Sequence, residues 1–327
     1  MRENSVRRKE AAAENKEKAD VTGTPEGAVT KEAVTEKALS EKVMAEKAMP
    51  EKASDRLAVL ARIEQLEREG RFDVDAEEDP PTLPLEPDQI DYLRVKPLSK
   101  AKVKLSYALA GKFLDGLLKD GKLILKDIKG MEYLNGLNTG TIITCNHFNP
   151  FDCFTVEHLF RISEHQGKRQ LFKVIREGNY TNYPGFYGFL FRNCNTLPLS
   201  QNKKTMYNFL RAVDQILQRG DFILIYPEQS LWWNYRKPKP LKNGAFKFAV
   251  KNNVPVLPIF ITMEDSSVYG PDGFPIQEYT VFIEKPIYPK SGLTEREQVS
   301  AMRQENYRVW SRIYEEFYGK PVEYTTE

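Results

Sequence analysis

Apolar and polar positions along the chain change rhythm several times, and each change marks an element. In residues 55–69, Leu57, Leu60, Ile63 and Leu66 recur at three-residue steps beside Val59, predicting a short helix that Gly70 ends. Residues 99–119 form a second amphipathic pattern. Leu105, Leu109, Phe113, Leu117 and Leu118 share one face, flanked by Lys100, Lys102, Lys104, Lys112 and Lys119. Such a helix either packs on a core or lies in the headgroup region of an anionic bilayer. Residues 122–129 alternate as a strand that Gly130 turns. Apolar, partly β-branched runs at 141–145, 171–175, 196–199, 222–226, 256–261 and 279–283 predict further strands. Helical patterns fall at 203–218, 244–251 and 294–318. Residues 183–189, YPGFYGF, read as an aromatic, glycine-containing turn that either lines an apolar groove or packs as surface loop. Continuous apolar strands alternating with helices indicate an α/β fold, a mostly parallel central sheet flanked by helices on both faces. In such sheets the chemistry gathers outside the carboxyl ends of the strands.

Residues 1–54 stand apart. Their repeating units TEKAL, SEKVM, AEKAM and PEKAS have a period of five, which lines neither a helix stripe nor a strand face. A disordered tail is expected, the other reading being a helical segment for an unidentified partner. Residues 55–90 are expected to be the short helix plus an acidic, proline-broken linker, and residues 91–327 the main domain.

With 327 residues and 41% hydrophobic content, the chain can bury a sizeable core. A net charge of +2 gives no global pull toward nucleic acid, so no nucleic-acid partner is expected. Cys145, Cys153 and Cys194 have neither metal-ligand spacing nor an even disulfide framework, which fits free thiols in a reducing compartment. The amino-terminal stretch has no apolar run of a secretory signal, and no stretch of 18 apolar residues spans a bilayer. The expectation is a cytoplasmic protein, soluble or lying on the inner face of a membrane.

The most informative stretch is TIITCNHFNPFDCFTVEHLF, residues 141–160. A buried strand runs into Asn146-His147; Asn149 is placed to cap a helix, Pro150 to begin it, and Asp152 falls in its first turn. Either His147 and Asp152 are an ordinary loop histidine and helix-start acid, or the carboxylate fixes the imidazole tautomer so that its other nitrogen takes a proton from a hydroxyl. No Ser or Cys stands in a nucleophile-elbow setting, so that hydroxyl belongs to a substrate. A hydrolase or metal site is disfavoured, since His158 and His165 are not spaced as ligands; no metal is expected. Strand 222–226 delivers Pro227-Glu228-Gln229-Ser230 at the same kind of strand end.

Four segments in order, NH-x4-D (Asn146 to Asp152), the 185–199 turn and strand, YPEQS (226–230) and VPVLPI (254–259), together with LKNGAF (241–246), resemble the blocks of the glycerolipid acyltransferases, the family of 1-acylglycerol-3-phosphate acyltransferase. The likeness covers residues 121–286. It implies a glycerol-3-phosphate acyltransferase-like fold and transfer of an acyl group from a thioester, acyl-CoA or acyl carrier protein, to a lyso-lipid hydroxyl at a membrane surface. No other cofactor is implied. His147 would be the general base and Asp152 its orienting partner. Asn146, Glu228, Gln229 and Ser230 would belong to the substrate site, Glu228 helping to hold the acceptor's head, and Gly244 would permit close approach at a helix start.

Two departures bear on the acceptor. The family's third block usually reads FPEGTR, and Leu231 replaces its arginine; in the second block Gln201 stands where an arginine is usual. Lysine does not replace arginine at a bidentate phosphate clamp. Either Lys203, Lys204, Arg236, Lys237 or Lys242 supplies the charge, or the acceptor differs from 1-acylglycerol-3-phosphate. The RKPKPLK run (236–242) reads equally as a solvated loop or a phosphate or CoA contact, and Trp232-Trp233 as core or as a membrane interface. A non-catalytic lipid-binding protein is the rival from another class.

Overall fold

The computed structural model describes residues 51–78 and 81–326, so nearly all of the low-complexity tail lies outside the described residues. In chain order come α1 (Ser54–Arg68), α2 (Pro97–Lys119), β1 (Ile124–Lys129), α3 (Met131–Asn135), β2 (Thr141–Thr144) and α4 (Asp152–Ile162). Then follow β3 (Leu171–Ile175), α5 (Glu177–Thr181), α6 (Gly185–Asn193), β4 (Thr196–Pro198), α7 (Lys203–Gln218) and β5 (Phe222–Ile225). The chain continues through α8 (Gly244–Lys251), β6 (Val256–Tyr269), β7 (Pro275–Ile283) and α9 (Glu295–Tyr318).

Among the described residues the strands form one seven-stranded sheet in the order β1-β7-β6-β2-β5-β3-β4. The β6–β7 pairing is antiparallel and the other pairings are parallel, so β6, β2, β5, β3 and β4 point the same way. Strands β2 and β5 are buried along their whole length, as the unbroken apolar runs TIIT and FILI require of strands covered on both faces. One core cluster, around Phe209, Phe246, Phe260 and Trp310, covers one face; the other, around Phe148, Leu159, Leu224 and Leu257, covers the opposite one. Sheet position follows from this packing: β1 and β4, the shortest or most exposed runs, take the edges.

Several expected elements differ in detail. Strand β6 extends eight residues beyond its apolar run: Thr262 and Met263 are still buried, and pairing with β7 as far as Tyr269 opposite Pro275 sustains a largely polar, exposed arm over residues 264–269. The YPGFYGF stretch is largely helix α6 rather than a turn. Gly188 is essential to its seat: a β-carbon there would lie 1.8 Å from the Tyr183 carbonyl oxygen. Helix α2 buries Ser106, Ala110, Leu114 and Leu117, and leaves Leu105 53% and Leu98 66% exposed, so the buried stripe is rotated from the leucine stripe read in the sequence. Small residues let the helix approach closely, and Tyr107 fastens it by donating to the Leu171 carbonyl at 3.2 Å.

The acidic segment after α1 is docked, not extended as a spacer, and residues 50–327 make one unit. Ile63 and Leu66 of α1 pack with the buried Trp232 and Trp233, which puts both tryptophans in the core rather than at a membrane interface. Leu85 is 1% exposed and its N–H donates to Glu177 at 2.8 Å.

Candidate active site

Register brings the two motif loops together. Thr144 of β2 lies opposite Ile225 of β5, and three residues further along each strand come His147 and Glu228. The His147 N–H donates to Glu228 Oε2 at 3.0 Å. Glu228 Oε1 accepts the Lys239 N–H at 2.9 Å, and the Lys239 ammonium lies 3.5 Å from the carboxylate. Both side chains are almost fully buried, 2% and 1% exposed. Burial pushes the Glu228 carboxyl up, against the pull of Lys239 and the two N–H donors, and burial pushes the Lys239 ammonium down. Glu228 is thus a brace for the His147 loop. The resemblance gave it a place at the acceptor's head, but its oxygens are spent inside the protein.

Helix α4 begins two residues later than the Asn149 cap predicts. Asn149 Oδ1 accepts from Phe151 N–H at 2.9 Å, closing a turn that contains Pro150, and Asp152 is the first helical residue. That turn aims the Asp152 carboxylate back at the loop. Its Oδ2 lies 2.7 Å from His147 Nδ1 and also accepts the Phe148 N–H at 3.1 Å. Its Oδ1 accepts the Tyr226 hydroxyl at 2.7 Å. Asp152 is 1% exposed while His147 is 25% exposed, so the acid is sheltered and the imidazole faces outward. With Nδ1 engaged, Nε2 is the nitrogen presented to a ligand. Burial and the adjacent Asp152 hold the Tyr226 hydroxyl well above the ordinary phenol range, so it stays a neutral donor.

The remaining sequence-predicted residues divide. Asn146 is 2% exposed and bonds β6 through both ends of its amide, donating to the Ile261 carbonyl at 3.0 Å and accepting its N–H at 2.8 Å. Ser230 is fully buried, donating to the Phe72 carbonyl at 2.6 Å. Both side chains pin loops. Gln229 is exposed with φ +64°, the strained residue at the crest of the YPEQS turn. Arg236 pairs with Asp265 at 2.6 Å, Lys237 with Glu67 at 2.6 Å and Lys242 with Asp73 at 2.8 Å. Lys203 and Lys204 are exposed at the start of α7, after the carboxyl end of β4 on the same rim. A β-carbon at Gly244 would meet nothing within 4 Å, so the fold itself does not demand glycine there.

Sequence reasoning missed Tyr226, Lys239, Asp75 and Arg176. Arg176 was discoverable, since it follows β3 as His147 follows β2. Also missed was an aromatic lip. Phe113 of α2 meets Phe151, Phe154, Phe186 and Tyr187 with ring centroids 5.5–6.5 Å apart, beside the loop that carries the dyad. Phe186 and Tyr187 stay 41% and 48% exposed. Among the described residues, no group of three or more His, Cys, Asp or Glu could hold a metal ion. Cys145, Cys153 and Cys194 are free thiols.

The arrangement places a histidine–carboxylate pair on the carboxyl rim of a mostly parallel α/β sheet. Residues 127–262 match the family model described as Acyltransferase. The chain is 26% identical over 167 residues to the 1-acyl-sn-glycerol-3-phosphate acyltransferase BAT2, chloroplastic, of Brassica napus, a match covering 50% of this chain and 45% of that protein. The aligned part therefore spans just under half the length of that relative. The crystal structure of the 1-acyl-sn-glycerophosphate (LPA) acyltransferase PlsC from Thermotoga maritima is similar at a TM-score of 0.47 and 20% identity, covering 70% of this chain and 86% of that one. No helix among the described residues is long and apolar enough to cross a membrane.

Proposed function

We propose that the protein moves a fatty acyl group from a thioester, acyl-CoA or acyl carrier protein, to a hydroxyl of a lysophospholipid of the 1-acylglycerol-3-phosphate type. The observation that carries this is the 2.7 Å His147–Asp152 pair, with the acid sheltered and the imidazole open at the strand ends. Nε2 takes the proton of the acceptor hydroxyl as its oxygen attacks the thioester carbonyl. Collapse of the tetrahedral intermediate breaks the carbon–sulfur bond, and the imidazolium returns the proton to the leaving thiolate. Asp152 holds the tautomer and stabilises the transient imidazolium. The aromatic lip offers an apolar wall for the acyl chain. The outward Leu98 and Leu105, among Lys100, Lys102 and Lys104, support seating on an anionic membrane surface, at the cytoplasmic side.

A second acceptor, another lyso-lipid, is favoured by one observation: Leu231 stands where the family's phosphate-binding arginine is usual. The test is thiol release from acyl-CoA and from acyl carrier protein over a panel of lyso-lipids. His147→Ala is expected to lower the rate by about 10³-fold, within the range of a lost general base. Equal release by wild type and variant across the panel would refute the enzyme reading and leave a lipid-binding protein.

A further inference from the structure

The loop that carries His147 is held by a turn whose own anchors lie outside the family-matched residues 127–262. The Asn234 N–H donates to the Phe148 carbonyl at 2.9 Å, and the Trp232 N–H points at the His147 carbonyl, 3.4 Å away. The Tyr235 N–H closes the turn on the Trp232 carbonyl at 3.1 Å, with Asn234 at φ +52°. Glu228 and Asp152 accept the N–H groups of the same two residues, His147 and Phe148. The loop is therefore gripped along both edges, and residues 232–235 supply the second grip.

Trp232 is the pivot of that turn and is fully buried. Its ring meets Tyr235 edge-on, centroids 4.9 Å apart, and stacks on Phe72 at 5.5 Å. Its Nε1 donates to the Val74 carbonyl at 2.7 Å, while Ile63 and Leu66 of α1 pack with it and with Trp233. The Tyr235 hydroxyl donates to Glu67 at 2.8 Å, tying the turn to α1 a second time. The Lys239 ammonium, counter-charge of Glu228, lies 5.0 Å from the centroid of the Trp232 ring. Residues 54–78 thus form a strap that fixes one side chain, and that side chain fixes two main-chain donors. Any apolar turn would satisfy the packing; this one also aims its N–H groups at the carbonyls of the His147 loop.

We infer that the strap belongs to the catalytic apparatus: through Trp232 it sets the 232–235 turn, and through that turn it sets the backbone of His147. Trp232, Leu66 and Phe72 are positioning residues for the imidazole. That the imidazole so placed works as a base rests on the acyl-transfer reading; its placement does not. Catalytic groups need their supporting residues locked by packing, and a misplacement of about 1 Å costs up to about 100-fold in rate.

Three variants of the full chain test this. Leu66→Ala opens the apolar pocket from the strap side, and Trp232→Phe keeps a ring but loses the Nε1 bond to Val74. Phe72→Leu loosens the same pocket from a half-buried position and keeps the test open should Leu66→Ala not fold. Leu217→Ala, in the core cluster around Phe209, is the control for lost stability alone. The first readout is the downfield proton resonance of the His147 Nδ1–H that faces Asp152, assigned by its loss in His147→Ala. The strap variants are expected to shift or broaden it, and Leu217→Ala to leave it in place. The second readout is steady-state kinetics. The strap variants should lose at least about tenfold in kcat with KM within about twofold of wild type, and Leu217→Ala should change neither. An unchanged resonance or an unchanged kcat in the strap variants overturns the inference. So does a Leu217→Ala protein that shows the same changes for the same drop in melting temperature. If wild type turns over no donor with any acceptor, the acyl-transfer reading falls, and the resonance alone then decides whether the strap positions His147.

Discussion

The Tyr226 ring lies over the His147 imidazole, centroids 4.1 Å apart at 20°, while its hydroxyl binds the outer oxygen of Asp152. One side chain thereby contacts both the face of the imidazole and its carboxylate partner. Tyr226→Phe keeps the stack and loses the hydrogen bond, which at a charged acceptor is worth about 1.5–3 kcal/mol. The acyl-transfer rate is expected to fall by about 10–100-fold with little change in fold. Tyr226→Leu, which loses the stack as well, should fall further. Steady-state kinetics with thiol detection and circular dichroism of both variants check this.

Glu228 and Lys239 form a buried ion pair in which the carboxylate also accepts the His147 and Lys239 N–H groups and the ammonium also donates to the Ser230 carbonyl and hydroxyl oxygens. Removing one charge strands the other away from water, so Lys239→Met should destabilise the protein by about 3–5 kcal/mol. Glu228→Gln also costs stability, because an amide cannot accept from both the His147 and Lys239 N–H groups with two oxygens. The double variant is expected to recover part of the Lys239→Met loss. Urea denaturation of the three variants measures it; a double variant as unstable as the sum of the singles would show that the two charges do not compensate each other.

His165 is buried, and burial lowers its pKa below the ordinary 6.5 despite its 2.8 Å bond to the Leu134 carbonyl. The neutral ring donates from Nε2. Below pH 6.5 the unfolded chain takes up a proton that the folded protein still refuses, so stability falls as the pH drops through that window. His158, lowered by burial and by Arg161, adds in the same direction. Denaturation midpoints between pH 5 and 8 should decline toward acid, and His165→Gln should flatten the decline.

Gly244 opens α8 with no neighbour that a β-carbon would touch. Gly244→Ala should therefore leave the melting temperature equal or raise it, by about 0.4–1 kcal/mol of lost unfolded-state freedom. If a ligand approaches this helix start, KM rises in the same variant. An unchanged KM would remove Gly244 from the substrate site.

Much of the fold was legible because its signals are short-range. The α7 and α8 boundaries follow from 3.6-residue periodicity, and the strands β2 and β5 from unbroken apolar runs. Helix α6 was misread because Gly185 and Gly188 look like turn residues, whereas Gly188 is there for close backbone contact. The polar arm of β6 was invisible because only its partner, β7, makes it a strand.

The sequence by itself determined that His147 and Asp152 lie within reach of each other, since only five residues of a strand-to-helix turn separate them. Only the tertiary structure decided that Glu228 turns inward to brace that loop, that Tyr226 reaches Asp152, and that Asp75 and Arg176 meet at the YPEQS turn. These depend on the register of parallel strands joined through long crossovers, and on a strap folding back across about a hundred residues or more. No local pattern of residues encodes a contact of that span.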